Sequence, residues 1–425
     1  MASSSRRAVV TGIGVISPIG CDAGSYWDLL CRGQSGVHTI SAFDPAGLPV
    51  RIAGEVVGFD AKNYIDKKDR KSLRVMARTI QLAVAAAQLA LNDSQLDKDK
   101  IDPTRFGVEF GASLIATELE ELGAAAQVSD SGQPGNIDLL KWGEQGLATI
   151  PPLWMLKYLP NMLACHVSIL HNAQGPNNTV TESDVASLLA LGEAYRILGR
   201  DGADLFLVGG GESRINPLSM VRQCLFQPLS HRNDQPAKAC RPFDRDRDGM
   251  VLGEGAGVLV LEDLEHAQRR QARIHAELVG FGASFDRERS GAGIARAIRA
   301  ALQDAGIGPE EIDHVNAHGL GTQAADQAEA RGLQEAFKGR PVPVFAPKSY
   351  FGNLGAGSGT TEAIASLLAL AHRRVPATLN YEHPDPACPV AVVAGEPRPV
   401  TTPYFVKTAF TEIGQCAAAV FKKWE

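Results

Sequence analysis

The feature that most limits how this chain can fold is an alternation that runs through it twice. Short β-rich runs ending in glycine, Ala8-Val9-Val10-Thr11-Gly12, Phe106-Gly107-Val108-Glu109-Phe110-Gly111 and Leu205-Phe206-Leu207-Val208-Gly209, are separated by helical stretches such as Arg78 to Leu91. In that stretch alanine and leucine dominate, and Asn92-Asp93 closes the pattern. The alternation predicts an α/β fold with buried, mostly parallel strands. After Gly257 the rhythm starts again, with VLVLE, a helix near Ile294 to Ala305, then DHVNAHG, VPVFAPKS and AAAVFKK. Two halves of similar rhythm, 1–257 and 258–425, predict an internally duplicated fold, and the 425 residues suffice for two domain-sized cores. The stretch from Ala124 to Thr149 reads as a long irregular excursion, of the kind that serves as a lid or an interface loop.

Charge and cysteine content narrow the function. A formal net charge of -6 argues against a general nucleic-acid binder, which needs a broadly basic surface. Met1 to Arg7 carries two arginines with no apolar segment after them, and no apolar run approaches 18 residues. These features predict a cytoplasmic protein without membrane insertion. The seven cysteines are odd in number, scattered and free of any C-x-x-C pair, so neither a disulfide framework nor a zinc site is expected, and no cofactor is implied.

Residues 179–192, TVTESDVASLLALG, read as a strand-turn-helix junction. Val185, Leu188, Leu189, Leu191, Ile197 and Leu198 sit among small residues, which predicts a helix buried around much of its circumference, start included. The first-turn N–H groups of a helix are unpaired and its dipole is positive there, which favours an anion. In enzymes the same geometry lowers a cysteine pKa and makes the thiol a nucleophile. This junction offers Glu182, Ser183 and Asp184 instead, and by residue type Ser183 and Asp184 read as helix caps.

From Arg6 to Lys423 the sequence resembles the β-ketoacyl-acyl-carrier-protein synthases of the thiolase superfamily. The resemblance is carried by RRAVVTGIGVISPIG at the start, RIAGEV at 51–56, YLPNM at 158–162 and CRPFDRDRDGMVLGEGAGVLVLE at 240–262. VNAHGLGTQAADQAE at 315–329 and KSYFGNLGAGSG at 348–359 complete it. It implies a thiolase-like fold, two halves stacked as α-β-α-β-α layers, in a dimer whose subunits pair through a continuous sheet. It also implies decarboxylative condensation, in which a cysteine thiolate carries the acyl chain and two donors stabilise the enolate oxygen.

Laid on the family pattern, this chain departs at the site that matters. Asp184 stands at the cysteine position, His318 is the retained first histidine, and Asn353 replaces the second, with Lys348 preserved ahead of it. The gating loop, FGFGG in the family, reads FTEIG, giving Phe410, Thr411 and Glu412. Carboxylate attack on a thioester yields a reactive mixed anhydride, so elongation by the usual route is expected to fail. Asn353 can donate to a carbonyl oxygen, so His318 and Asn353 form either an oxyanion hole or a pair of satisfied polar fillers. Asp326, Glu329 and Glu254 read as scaffold. Cys165 adjoins His166 on one element and reads as a small buried hydrophobe, and Cys416 lies in the altered loop without an identifiable base.

The segment IDKKDRKSLRVMAR concentrates Lys67, Lys68, Arg70, Lys71, Arg74 and Arg78. Such a run is commonly a solvated helix face. The resemblance implies docking of the acidic acyl carrier protein there. The role implied is a chain-length-factor-like subunit that works with an active ketosynthase, as homo- or heterodimer, on acyl thioesters. Those subunits usually carry glutamine at the cysteine position, so the analogy is one of role. Two alternatives stay open: a malonyl-thioester decarboxylase, thioesterase or acyltransferase of altered chemistry using His318 and Asn353, and a non-catalytic homodimer that binds acyl chains or acyl carriers.

Overall fold

The computed structural model describes residues 6–425. Residues 1–5, which open the expected N-terminal half and the arginine-bearing start, lie outside the described residues. Eleven strands form one sheet: β1 (Ala8–Ile16), β2 (Phe106–Gly111), β3 (Asn177–Val180), β4 (Leu205–Glu212), β5 (Gly255–Asp263), β6 (Ala276–Phe285), β7 (Ile312–Asn316), β8 (Pro343–Phe345), β9 (Ala391–Val392), β10 (Tyr404–Phe410) and β11 (Gln415–Lys423). Their order across the sheet is β9-β8-β7-β10-β11-β6-β1-β5-β4-β2-β3. Six helices accompany them here: α1 (Arg78–Ser94), α2 (Met162–His171), α3 (Ala186–Gly199), α4 (Ala292–Ala305), α5 (Gln323–Ala336) and α6 (Ser358–His372).

The duplication is visible in this order. The N-terminal unit runs β1-α1-β2-α2-β3-α3-β4-β5, and the C-terminal unit runs β6-α4-β7-α5-β8-α6-β10-β11, with β9 added at one edge. In both, the repeated strands run across the sheet in the order third, second, fourth, fifth and first, with β9 outside the third strand of the C-terminal unit. The expectation of mostly parallel strands needs correcting. The second strand of each unit is parallel to its third and fourth, while the fourth, fifth and first pair antiparallel. β1 also pairs antiparallel with β6, which joins the two units at the centre. The expected division at 257 falls inside β5, and the strand order restarts at Ala276, so the units meet in the connection 264–275.

Packing assigns the layers. Phe106, Val108 and Phe110 alternate along β2 toward α1, in a core shared with Leu205, Leu207, Val258 and Val260. Ile294 and Ile298 of α4 pack with Val315, Val406 and Val420 of the C-terminal strands. Between the two units lie α3 and α6, whose Leu188, Leu191, Ile364 and Leu367 share a core with Val208 and Leu259 on one side and Phe405 and Phe421 on the other. This is the α-β-α-β-α arrangement, with α6 buried at every residue from Ser358 to Leu370. Each unit brings its first helix close with a glycine pair. A Cβ on Gly12 or Gly14 would lie 2.3 Å from Ala90 O or 2.0 Å from Ala86 O, and one on Gly280 or Gly282 would lie 2.2 Å from Ala301 O or 2.2 Å from Ala297 O.

The excursion between β2 and α2 is more ordered than expected. Leu119–Val128 is helical, and a helical run with a π-turn at Trp142–Gly146 covers 139–149. Its apolar side chains nevertheless face outward, with Leu139 at 80% and Leu140 at 71% exposure. No helix among the described residues is long and apolar enough to cross a membrane.

Candidate functional site

The site forms where the third strand of each unit turns into its buried helix, so α3 and α6 deliver their starts to one point between the layers. At the first junction Ser183 adopts a left-handed backbone, φ 49°, which turns the chain sharply into a short 3-10 turn, Ser183–Val185, ahead of α3. A left-handed residue other than glycine is uncommon and costs on the order of 1 kcal/mol or more. The capping expected of Ser183 and Asp184 does not occur. No side chain caps this turn or α3, because the Asp184 carboxylate is directed across to the C-terminal unit.

Three sequence-expected residues converge there. Asn353 Nδ2 donates to Asp184 Oδ2 at 3.2 Å, and His318 Nε2 faces the same oxygen at 4.0 Å. Asn353 is oriented by its own carbonyl oxygen, which accepts from Gly355 N at 3.2 Å and Ser358 Oγ at 3.1 Å. His318 follows β7, and its backbone N–H and that of Gly319 donate to the two oxygens of Glu329 at 2.7 and 2.8 Å. Gly319 is left-handed at φ 51°, and a side chain there would strike Ala346. Glu329 thus fixes the His318 loop. Asp326 ties Gly321 N and Phe243 N, and Glu254 holds Arg78, Ser213 and Val56 N, so these acids bind backbone and neighbours together.

Lys348, buried in a short helix, donates to His318 Nδ1 at 3.1 Å and to Glu362 Oε1 at 2.6 Å. An ammonium only donates, which assigns the imidazole proton to Nε2, the nitrogen facing Asp184. Burial, reinforced by the positive charges of Lys348 and Lys407, holds the His318 pKa well below the usual histidine value, so the ring is neutral. Lys407 on β10 donates to the second Glu362 oxygen, and burial lowers its pKa to about 8. Sequence reasoning did not single out Glu362 or Lys407. The available signal was a lone charge inside an apolar run, SGTTEAIASLLAL for the first and YFVKTAF for the second.

Phe410 packs on His318 with ring centroids 4.5 Å apart. Thr411 and Gln415 close the turn between β10 and β11 through Thr411 N to Gln415 O at 2.9 Å, and Gln415 Nε2 donates to Glu182 Oε2 at 2.8 Å. The turn between β10 and β11 is therefore fastened to the junction that bears Asp184. Partial burial, then the neighbouring Asp184, raise the Glu412 pKa. Beside this turn a cavity of about 330 Å³ is lined by Ile294, Ala325, Ala328, Phe410 and Cys416 among others. Burial pushes the Cys416 thiol up to about 12, so it is protonated and a poor nucleophile.

The basic stretch divides. Lys67, Lys68, Lys71 and Arg74 are exposed on a turn and the 3-10 helix Arg70–Val75. Arg70 turns back onto the carbonyls of Lys62 and Ile65, and Arg78 is taken up by Glu254. Of the docking set expected from sequence, Lys67, Lys68, Arg70, Lys71 and Arg74, Arg70 alone is thus tied to backbone oxygens, and it keeps its positive charge there.

Comparison with known proteins places the chain in a family. Residues 5–267 match the family model for the beta-ketoacyl synthase N-terminal domain, and residues 275–382 match that for the C-terminal domain. The 3-oxoacyl-[acyl-carrier-protein] synthase 2 of Vibrio cholerae is 37% identical over 430 residues, covering 99% of this chain and 100% of the relative. That of Synechocystis sp. is 35% identical, covering 99% of each. Among solved structures, the ishigamide ketosynthase/chain length factor superposes with TM-score 0.87 at 31% identity, over 99% of this chain and 100% of that one. A type II polyketide acyl-carrier protein in complex with its ketosynthase gives 0.84 at 27%, over the same shares. With both family domains matched and a full-length relative above a third identical, the chain belongs to the β-ketoacyl synthase family.

Proposed function

We propose that this chain is a non-elongating, chain-length-factor-like subunit that pairs with a cysteine-bearing ketosynthase in the cytoplasm and receives acyl-carrier-protein thioesters. The observation that carries the reading is the Asp184 carboxylate, which occupies Asn353 and faces His318, the two groups available to stabilise an enolate oxygen. An anion held there excludes the malonyl group twice over. It uses the donor that the carbonyl needs, and it repels the incoming carboxylate, by about 4 kcal/mol for unit charges 4 Å apart at an effective dielectric of 20.

Supporting features lie outside the site. The outer edge of β3 ends the sheet, with Asn177 and Asn178 exposed, and suits continuation into a partner's sheet. The apolar residues of the excursion suit burial by the same partner. Lys67, Lys68, Lys71 and Arg74 suit an acidic carrier protein. The similar structures include one named for a ketosynthase with its chain length factor and one for a ketosynthase with its carrier protein.

One observation favours the altered-chemistry alternative: neutral His318 keeps its Nε2 proton 4.0 Å from Asp184 and outside hydrogen-bond distance of it. Mass spectrometry of the chain with acyl- and malonyl-loaded carrier protein, with and without a cysteine-bearing ketosynthase from the same organism, separates the two. Extended product only with the partner is the expected result. Acylation of the chain alone, or acetyl-carrier formed from malonyl-carrier and abolished by His318→Ala, overturns it.

A further inference from the structure

A second cavity, of about 410 Å³, has none of Asp184, His318 and Asn353 in its lining. It lies between residues 41–43 and 55–59, the start of α1, the segment that follows β2, and the start of the helix Pro217–Phe226. Phe43, Val57, Phe59, Ile115 and Ile215 supply its apolar walls. Its charged lining is four carboxylates, Glu55, Glu118, Glu120 and Glu254, against one guanidinium, that of Arg78.

Arg78 and Glu254 satisfy each other. Arg78 Nε donates to Glu254 Oε2 at 3.1 Å, and Nη2 donates to Glu254 Oε1 at 2.6 Å and to Val56 O at 2.7 Å. Three carboxylates are left. The Glu55 side chain is only 5% exposed, and its Oε2 accepts from Ser41 N at 2.9 Å and Ser41 Oγ at 2.7 Å. Its Oε1 accepts no hydrogen bond among the described residues, on a side chain that lines the cavity. An enclosed carboxylate oxygen without a donor is unfavourable, so a donor that enters the cavity gains there. Glu118 is half-buried at the same cavity, and burial, then the neighbouring Glu120, raise its pKa. Lys157 works against that shift but is itself paired with Glu121.

We propose that this cavity is a binding site for a small organic ammonium with an apolar body. The ammonium donates to Glu55 Oε1, a charge-assisted hydrogen bond, while Glu118 and Glu120 add negative potential. The body lies against Phe43 and Phe59, and an aromatic face attracts a cation besides burying carbon. The Arg78 guanidinium already sits 5.1 Å from the centre of the Phe59 ring. An anion meets three carboxylates, and a neutral ligand fills the apolar part without matching the charge. The site stands apart from the non-elongating reading, since none of the groups that carry that reading lines it.

The test titrates the full-length chain, by calorimetry at millimolar ligand, with phenethylammonium, its neutral counterpart 2-phenylethanol and the anion 3-phenylpropanoate. Phenethylammonium is expected to bind about tenfold more tightly than the alcohol, and the anion not at all. Glu55→Gln keeps an oxygen for Ser41 and is expected to bring the ammonium down to the affinity of the alcohol. Where that variant does not fold, Glu118→Gln, at a half-buried position, carries the same comparison with a loss of about threefold. Equal affinity for ammonium and alcohol, an ammonium affinity that these substitutions leave unchanged, or no binding of the ammonium overturns the proposal.

Discussion

The two strand-to-helix junctions that meet at the site are the corresponding junctions of the two repeated units, and they differ in opposite directions. The N-terminal one, between β3 and α3, is short, half-buried, left-handed at Ser183 and bears Asp184. The C-terminal one, between β8 and α6, is longer, buried throughout, and carries Lys348 and Asn353. Around them the scaffold stayed alike, down to the glycine pairs under α1 and α4. Packing constrains both units equally, because each must bury one helix face against its own sheet. Chemistry constrains only the junctions.

Glu362 should break the comparison most strongly. It is wholly buried between Lys348 and Lys407, and Glu362→Gln leaves two ammonium groups facing a neutral amide. Removing one partner of a buried charge network costs about 3–5 kcal/mol, which urea unfolding will measure. The glycine pairs sharpen the comparison at the next level. Gly14→Ala and Gly282→Ala each push a methyl into a helix carbonyl, and each should cost about 1–3 kcal/mol. Equal losses mean the units are energetically equivalent, and unequal losses locate the tighter one.

The smallest effect concerns the second strands. Asp313 on β7 is paired with His314, Arg398 and Thr401, whereas Glu109 on β2 is buried with Oε2 lacking a partner. Burial, then Glu193, raise the Glu109 pKa from 4.5 to about 7. The native state therefore retains a proton that the unfolded chain loses above 4.5, so this residue's contribution is full below 4.5 and is lost as pH rises through 7. Glu109→Gln should gain on the order of 1 kcal/mol over wild type at pH 8 and nothing at pH 4, as read by thermal unfolding.

Much of the fold was legible because periodicity reports local burial. The strands ending in glycine, the helix from Arg78 and the restart after the middle of the chain all correspond to observed elements. The site was legible in part. Asp184, His318, Asn353 and Lys348 could be named from short motifs, and the structure brings all four together. Arg214, Glu362 and Lys407 could not be assigned partners, because each meets groups far away in sequence. The antiparallel centre was missed for a related reason: a strand buried on both faces reads the same whichever way its neighbour runs.

By itself the sequence determined the α/β class, the duplication and the absence of a thiol at position 184, since each is a property of residue type or local pattern. Only the tertiary structure decided what Asp184 does. A carboxylate at a helix start has two low-energy uses, capping its own turn or accepting donors from elsewhere. The choice follows from where Asn353, His318 and Arg214 are placed by three separate elements.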